Sequence, residues 1–182
     1  RVQAPNGLMQ LDTANDGRIL AEMGIPIFTP SAVPFTTDKE RLEYTLTVSD
    51  TSLTMGVLSM GNPHAVMTVE NVQTAPVASL GATIEGHPKF TDRVNVGFMQ
   101  VLSRDEIKLR VFERGAGETL ACGTGACAAV VHGIRKNLLN NAETVHLPGG
   151  TLSVTWEGTG TAAWLSGPTA SVFEGTINLH NR

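Results

Sequence analysis

Glu113-Arg114-Gly115-Ala116-Gly117-Glu118-Thr119-Leu120-Ala121-Cys122-Gly123-Thr124-Gly125-Ala126-Cys127-Ala128-Ala129 is where a strand pattern gives way to a helix pattern. The segment gathers an acid–base pair, four glycines and both cysteines of the chain. Before it, Ile107 to Phe112 alternates as a strand does; after it, Gly123 to Asn137 reads as a helix. The small residues Ala126, Ala128, Ala129 and Gly133 imply close packing of that helix against sheet. Cys122 stands at the helix entrance, where unpaired N–H groups and the positive end of the helix dipole favour a thiolate. The same N–H groups can hold a carboxylate. A tuned thiol beside an anion cradle suits acid–base or nucleophilic work on a small acidic substrate. Cys127 lies about 140° further round the helix. It therefore points away from Cys122 and is assigned to the core.

On either side of this segment the chain is a succession of short alternating runs. They are Leu8 to Leu11, Leu46 to Val48, Leu53 to Met60, Ala65 to Val69, Val94 to Leu102, Thr144 to Leu147, Thr151 to Trp156, Ala163 to Leu165 and Ser171 to Phe173. Gly, Pro, Asn or Asp separates most of them, as in a strand-rich chain with tight turns. Besides the helix after Cys122, one short helix is expected, with Pro76 near its start and Gly81 at its end. Few helices among many strands make the fold class α+β. Pro26 to Pro34 is the best candidate for a crossover between domains.

At 182 residues the chain is one domain or two small ones, able to bury a real core. Its formal charge is −4 with no basic run, which argues against nucleic acid and anionic membranes as partners. No apolar stretch approaches the roughly 18 residues of a membrane span, and no signal-peptide pattern opens the chain. The two cysteines are a poor disulfide framework, so a reducing, cytoplasmic setting is expected. The start at Arg1, straight into strand-like sequence, is read as that of a fragment or a processed chain.

Three further motifs bear on chemistry. Ser59-Met60-Gly61-Asn62-Pro63-His64, taken alone, is an Asn-Pro turn with a solvated histidine. Alternatively, Asn62 offers its amide to a substrate and His64 polarises a neighbour. Arg93-Val94-Asn95-Val96-Gly97-Phe98 sets one amide in an apolar strand, which alone reads as a satisfied edge asparagine. Glu113 and Arg114 are worth little as a surface pair. At the mouth of a thiol site they would bind a zwitterion, carboxylate to ammonium and guanidinium to carboxylate. Gly123-x-Gly125-x-x-Ala128 matches a dinucleotide fingerprint with Glu143 downstream, but no apolar strand leads into Gly123. The five histidines show no metal-ligand spacing, so no metal is expected.

Together these residues resemble the diaminopimelate epimerase family. The resemblance rests on Ser59 to His64, on Arg93-Val94-Asn95-Val96-Gly97-Phe98-Met99-Gln100, on Glu113 to Thr119 and on Ala121 to Gly125. Leu147-Pro148-Gly149-Gly150 and Ser166-Gly167-Pro168 extend it. It implies cofactor-independent interconversion of L,L- and meso-diaminopimelate, on the route to lysine and peptidoglycan. It also implies two pseudo-symmetric halves, each of mostly antiparallel strands around a central helix, with the substrate between them. One thiolate removes the α-proton while a thiol delivers a proton to the other face. Carried over, Cys122 is the general acid when L,L-substrate reacts, and His64 and Glu113 tune the chemistry. Asn62, Asn95, Glu113 and Arg114 bind substrate, and Gly123 and Thr124 donate to the α-carboxylate.

The family's second thiol, in an N-terminal Asn-Ala-Asp-Gly-Ser segment followed by Cys-Gly-Asn-Gly, has no counterpart in this sequence. The resemblance therefore implies trailing strands of an N-terminal domain over residues 1–22, a catalytic domain over 23–167, and a returning C-terminal strand over 168–182. The chain alone is expected to be inactive, with the N-terminal half as its missing partner. Val2 to Leu20 and Ser171 to Leu179 are expected to be orphan strands whose exposed edges pair copies into a homodimer or aggregate. Two competing readings are a proline racemase-like or phenazine-biosynthesis-type isomerase, and a non-catalytic domain that binds a small anion at the Gly123 helix entrance.

Overall fold

Val96, Phe98, Met99, Leu109 and Val111, at 0 or 1% exposure, occupy two strands that are buried on both faces at the middle of one large sheet. The computed structural model describes residues 2–4, 7–48, 50–140 and 142–177. In chain order the strands are β1 (Val2–Ala4), β2 (Gly7–Met9), β3 (Leu11–Thr13), β4 (Ile19–Glu22), β5 (Tyr44–Val48), β6 (Thr51–Ser59) and β7 (Pro63–Thr68). Helix α1 (Val77–Glu85) follows, then β8 (Asn95–Ser103), β9 (Glu106–Glu113) and β10 (Gly117–Thr119). Helix α2 (Gly123–Arg135) comes next, then β11 (Ala142–Leu147), β12 (Gly150–Thr155) and β13 (Trp164–Gly167).

The main sheet runs β3-β4-β13-β12-β11-β9-β8-β7-β6-β5, with β10 attached to β9. β7/β8 and β9/β11 are parallel, and the other pairs are antiparallel. Beyond β4 the chain returns to β6, where Ile27 and Ser59 exchange backbone hydrogen bonds of 2.9 and 2.8 Å. That bridge closes the curled sheet around α2, which touches β6, β7, β8, β9, β12 and β13. The helix can sit there because Ala126 through Val131 offers no polar side chain on any face, and all six residues are fully buried. Gly133 lets the last turn meet Leu139, whose Cδ1 would lie 2.4 Å from a Cβ at that position.

A second core fills the outer face, where α1 packs on β8, β9 and β10. Adjacent side chains of β8 point to opposite faces, so Val96 and Phe98 join the α1 core and Met99 joins the α2 core. The α+β class and the central helix match what was read from the sequence, but several elements differ. Gly81 does not end α1. It lies buried within the helix because a Cβ there would stand 2.6 Å from the Phe112 side chain, and the helix runs on to Glu85. β10 is a strand that its short, weakly apolar sequence did not announce. β4 is not an orphan, being paired on one side by β3 and on the other by β13. Ser171 to Phe173 forms no strand: Val172 and Phe173 are 87 and 86% exposed, and the segment pairs with no strand among the described residues. Leu179, in the same expected strand, lies outside the described residues. Among the described residues, no helix is long and apolar enough to cross a membrane.

Candidate active site

Two tight hairpins and one helix entrance bring the candidate residues together. The β9–β10 turn needs positive φ at Gly115 (74°) and Gly117 (84°), a region open to glycine at little cost. It folds β10 back along β9 and leaves Glu113 at the end of β9, facing the helix entrance. The chain then reaches Cys122, whose extended backbone (φ −139°, ψ 107°) makes it the N-cap of α2. Gly125, in the first turn, is tight: a Cβ there would lie 3.1 Å from Val111 and 3.2 Å from the Cys122 sulfur. On the other side, the β6–β7 hairpin turns at Gly61 (φ 87°) and carries Asn62 and His64.

These residues form one connected chain of hydrogen bonds. The Cys122 thiol donates to Glu113 Oε2 at 3.1 Å, and the Thr119 hydroxyl donates to Glu113 Oε1 at 2.6 Å. Thr124 Oγ1 lies 3.7 Å from Sγ and accepts from Asn62 Nδ2 at 3.4 Å. Asn62 Oδ1 lies 3.0 Å from His64 Nε2. Burial, helped by the nearby Arg114 charge, holds His64 down to about 3. The ring is therefore neutral, and with Asn62 Oδ1 as acceptor its proton sits on Nε2. The solvated histidine of the sequence reading is thus a buried one, 1% exposed, that orients Asn62.

The thiol itself departs from the sequence expectation. Helix entrance and dipole favour thiolate, yet burial first and the Glu113 carboxylate second push Cys122 up to about 11. The Gly125 N–H and the Thr124 hydroxyl pull the other way and are outweighed. At neutral pH Cys122 is therefore a thiol that keeps its proton and donates it in a hydrogen bond to the Glu113 carboxylate. Cys127 is fully buried and pushed up to about 12, chiefly by desolvation, as suits a core residue.

Asn95 and Arg114 lie on the same wall. Asn95 is in an interior strand, not at an edge, and both ends of its amide are engaged. Nδ2 donates to Pro63 O at 2.9 Å, and Oδ1 accepts the Arg114 N–H at 3.0 Å. Glu113 and Arg114 do not pair with each other. The Arg114 guanidinium donates to the Asp92 carboxylate at 2.6 Å, on the exposed surface. Gly123 and Thr124 begin α2, where first-turn N–H groups lack intrahelical acceptors. Gly123 meets Leu165 closely, a Cβ there lying 3.1 Å from Cδ2. Thr119 was not singled out from the sequence. Only its alternation with Glu118 on a short strand, itself unrecognised, would have aimed it at Glu113.

Two cavities of about 570 and 510 Å³ are lined by other residues, on the outer faces of β9 and β6–β7. Among the described residues, no group of three or more His, Cys, Asp or Glu side chains is placed to hold a metal.

The sequence profile of the diaminopimelate epimerase family matches residues 56–172. A diaminopimelate epimerase from Teredinibacter turnerae is 51% identical over 178 residues, covering 98% of this chain and 64% of that protein. One from Nitrosomonas europaea is 49% identical over 179 residues, with 98 and 65% covered. The chain thus spans about 64% of the length of the curated relatives it matches. Among solved structures, a hydroxyproline epimerase from Agrobacterium vitis superposes with a TM-score of 0.64 at 14% identity, over 90% of this chain and 55% of that one. A probable proline racemase from Agrobacterium radiobacter K84 gives 0.58 at 15%, over 94 and 59%. At such identities these two likenesses show a shared fold.

Proposed function

The chain belongs to the diaminopimelate epimerase family, and on that premise we propose that it carries one side of a two-thiol acid–base site that interconverts L,L- and meso-diaminopimelate without a cofactor. The observation that carries this reading is the Cys122 thiol resting on the Glu113 carboxylate at 3.1 Å. A general acid must be protonated before it acts, and the value of about 11 keeps Cys122 so at neutral pH.

In the L,L direction the opposite thiolate takes the α-proton and Cys122 delivers its own to the other face of the carbon. In the reverse direction Glu113 is in place to draw the proton from Sγ and leave a thiolate. No electron sink is needed if the carbanionic transition state is met by fixed donors. The first-turn N–H groups of Gly123 and Thr124 serve that role toward the α-carboxylate, and Asn62 lies beside them. Asn95 fixes the backbone of Arg114. The guanidinium leaves Asp92 for the distal carboxylate of the substrate, a low-cost exchange because the Asp92 partner is 68% exposed.

The second thiol lies outside this sequence, since its two cysteines are Cys122 and the core residue Cys127. The missing N-terminal half is therefore the partner, with residues 1–22 and 168–182 belonging to its domain and 23–167 forming the catalytic unit. A cytoplasmic location suits two unpaired thiols. The test mixes the reduced chain with an N-terminal segment from a relative and follows L,L- to meso-diaminopimelate. The mixture should turn over, and Cys122→Ala should abolish it. Turnover that survives Cys122→Ala would remove the thiol from the mechanism.

A further inference from the structure

β10 has three residues and a single neighbour, β9, with Gly117 opposite Glu113, Glu118 opposite Phe112 and Thr119 opposite Val111. Its side chains point alternately to the two faces. On the outer face Glu118 takes Arg110 in a two-pronged ion pair, 2.6 Å from Nε and 2.8 Å from Nη2. Nη1 of the same guanidinium donates to Val72 O at 2.9 Å, tying β10 to the chain that leads into α1. On the inner face Thr119 Oγ1 reaches Glu113 Oε1 at 2.6 Å. One carboxylate oxygen is thereby occupied and the other is left for the thiol.

We propose that Thr119 is a positioning residue, whose hydroxyl fixes the rotamer of Glu113 so that Oε2 meets Sγ of Cys122. A half-buried glutamate has water as a rival partner. Without the Thr119 hydroxyl, the weak S–H donor of Cys122 would be the one side-chain partner among the described residues to hold the carboxylate inward. The inference rests on reading Cys122 as the reacting thiol. Its test, alkylation, follows the carboxylate–thiol contact whether or not substrate turns over, so the two can fail separately.

The experiment measures iodoacetamide labelling of Cys122 at pH 8 by mass spectrometry, with buried Cys127 reporting any unfolding. Losing the carboxylate contact should lower the thiol, because Glu113 is one of the influences that raise it. The thiolate fraction then rises faster than intrinsic nucleophilicity falls, a net acceleration of a few-fold. Thr119→Val should show that acceleration, Thr119→Ser should label like the parent, and Glu113→Gln should label faster. Thr119→Val added to Glu113→Gln should bring no further change. An unchanged or slower Thr119→Val would overturn the proposal. So would the same acceleration in the Glu113→Gln background, which would mean that Thr119 merely limits access.

Discussion

Oε2 of Glu113 lies 3.1 Å from Sγ of Cys122, on the side of the carboxylate away from Thr119. The pair shares one proton across a short gap in a largely buried setting. Which partner holds it decides what the site can do, and here the thiol holds it.

Cys122 should therefore resist oxidation at neutral pH. With a value of about 11, roughly one thiol in a thousand is ionised at pH 8, and peroxide attacks the thiolate. Mass spectrometry after peroxide treatment at pH 7 should find Cys122 largely unmodified. Glu113→Gln, which removes the second of the two raising influences, should oxidise several-fold faster. Rapid oxidation of the parent chain would mean the thiol is ionised at rest.

Stability should fall with acid because two histidines are buried neutral. His132 is 2% exposed, with no hydrogen-bond partner for Nε2 among the described residues, and burial holds it down to about 4. Glu43, 3.7 Å away, favours its charged form, whereas Lys136 and Arg135 oppose it. Unfolded histidine titrates near 6.5, so below that pH the unfolded chain binds protons that the folded chain refuses. Stability is full above about pH 6.5 and declines toward pH 4 for His132, and further for His64 at about 3. The slope is up to about 1.4 kcal/mol per pH unit for each histidine. Urea midpoints at pH 7 and 4.5 should show the loss, and His132→Gln should flatten it. An equal slope in that variant would place the proton uptake elsewhere.

Gly81→Ala should destabilise, against the usual rule that alanine improves a helix interior by about 1 kcal/mol. The new methyl would stand 2.6 Å from Phe112, a ring wedged between α1 and the sheet. Overpacking of this kind costs about 1–3 kcal/mol. Thermal melts of the two chains decide the sign.

The chain should self-associate as concentration rises. β3 forms an open edge of the main sheet, and Val172, Phe173 and Ile177 are 87, 86 and 79% exposed. Light scattering over a concentration series should show dimers or larger species. A monomer at every concentration would mean that these edges are protected.

The sequence made the α2 core legible because Ala126 to Val131 leaves no polar face, and the two central strands legible because their apolar runs are long. The family resemblance placed Cys122, Glu113, Thr124 and Asn62 in one site, whereas Ser59 to His64 taken alone reads as a turn with a solvated histidine. What the sequence hid depends on distance across the fold. The closure at Ile27–Ser59 is a backbone contact with no side-chain signature. The protonated state of Cys122 arises from burial, which a local reading of helix dipole and glycines cannot weigh. Gly81 looked like a helix stop because the Phe112 ring that requires it lies 31 positions away in the chain.

The most direct measurement incubates the reduced chain alone with L,L-diaminopimelate in deuterated water, following α-deuterium uptake and meso product. A protonated Cys122 without its opposite thiol should give neither signal. Both should appear once the N-terminal segment of a relative is added. Meso product from the chain alone would contradict the account, since a second acid–base group would then have to lie within these 182 residues.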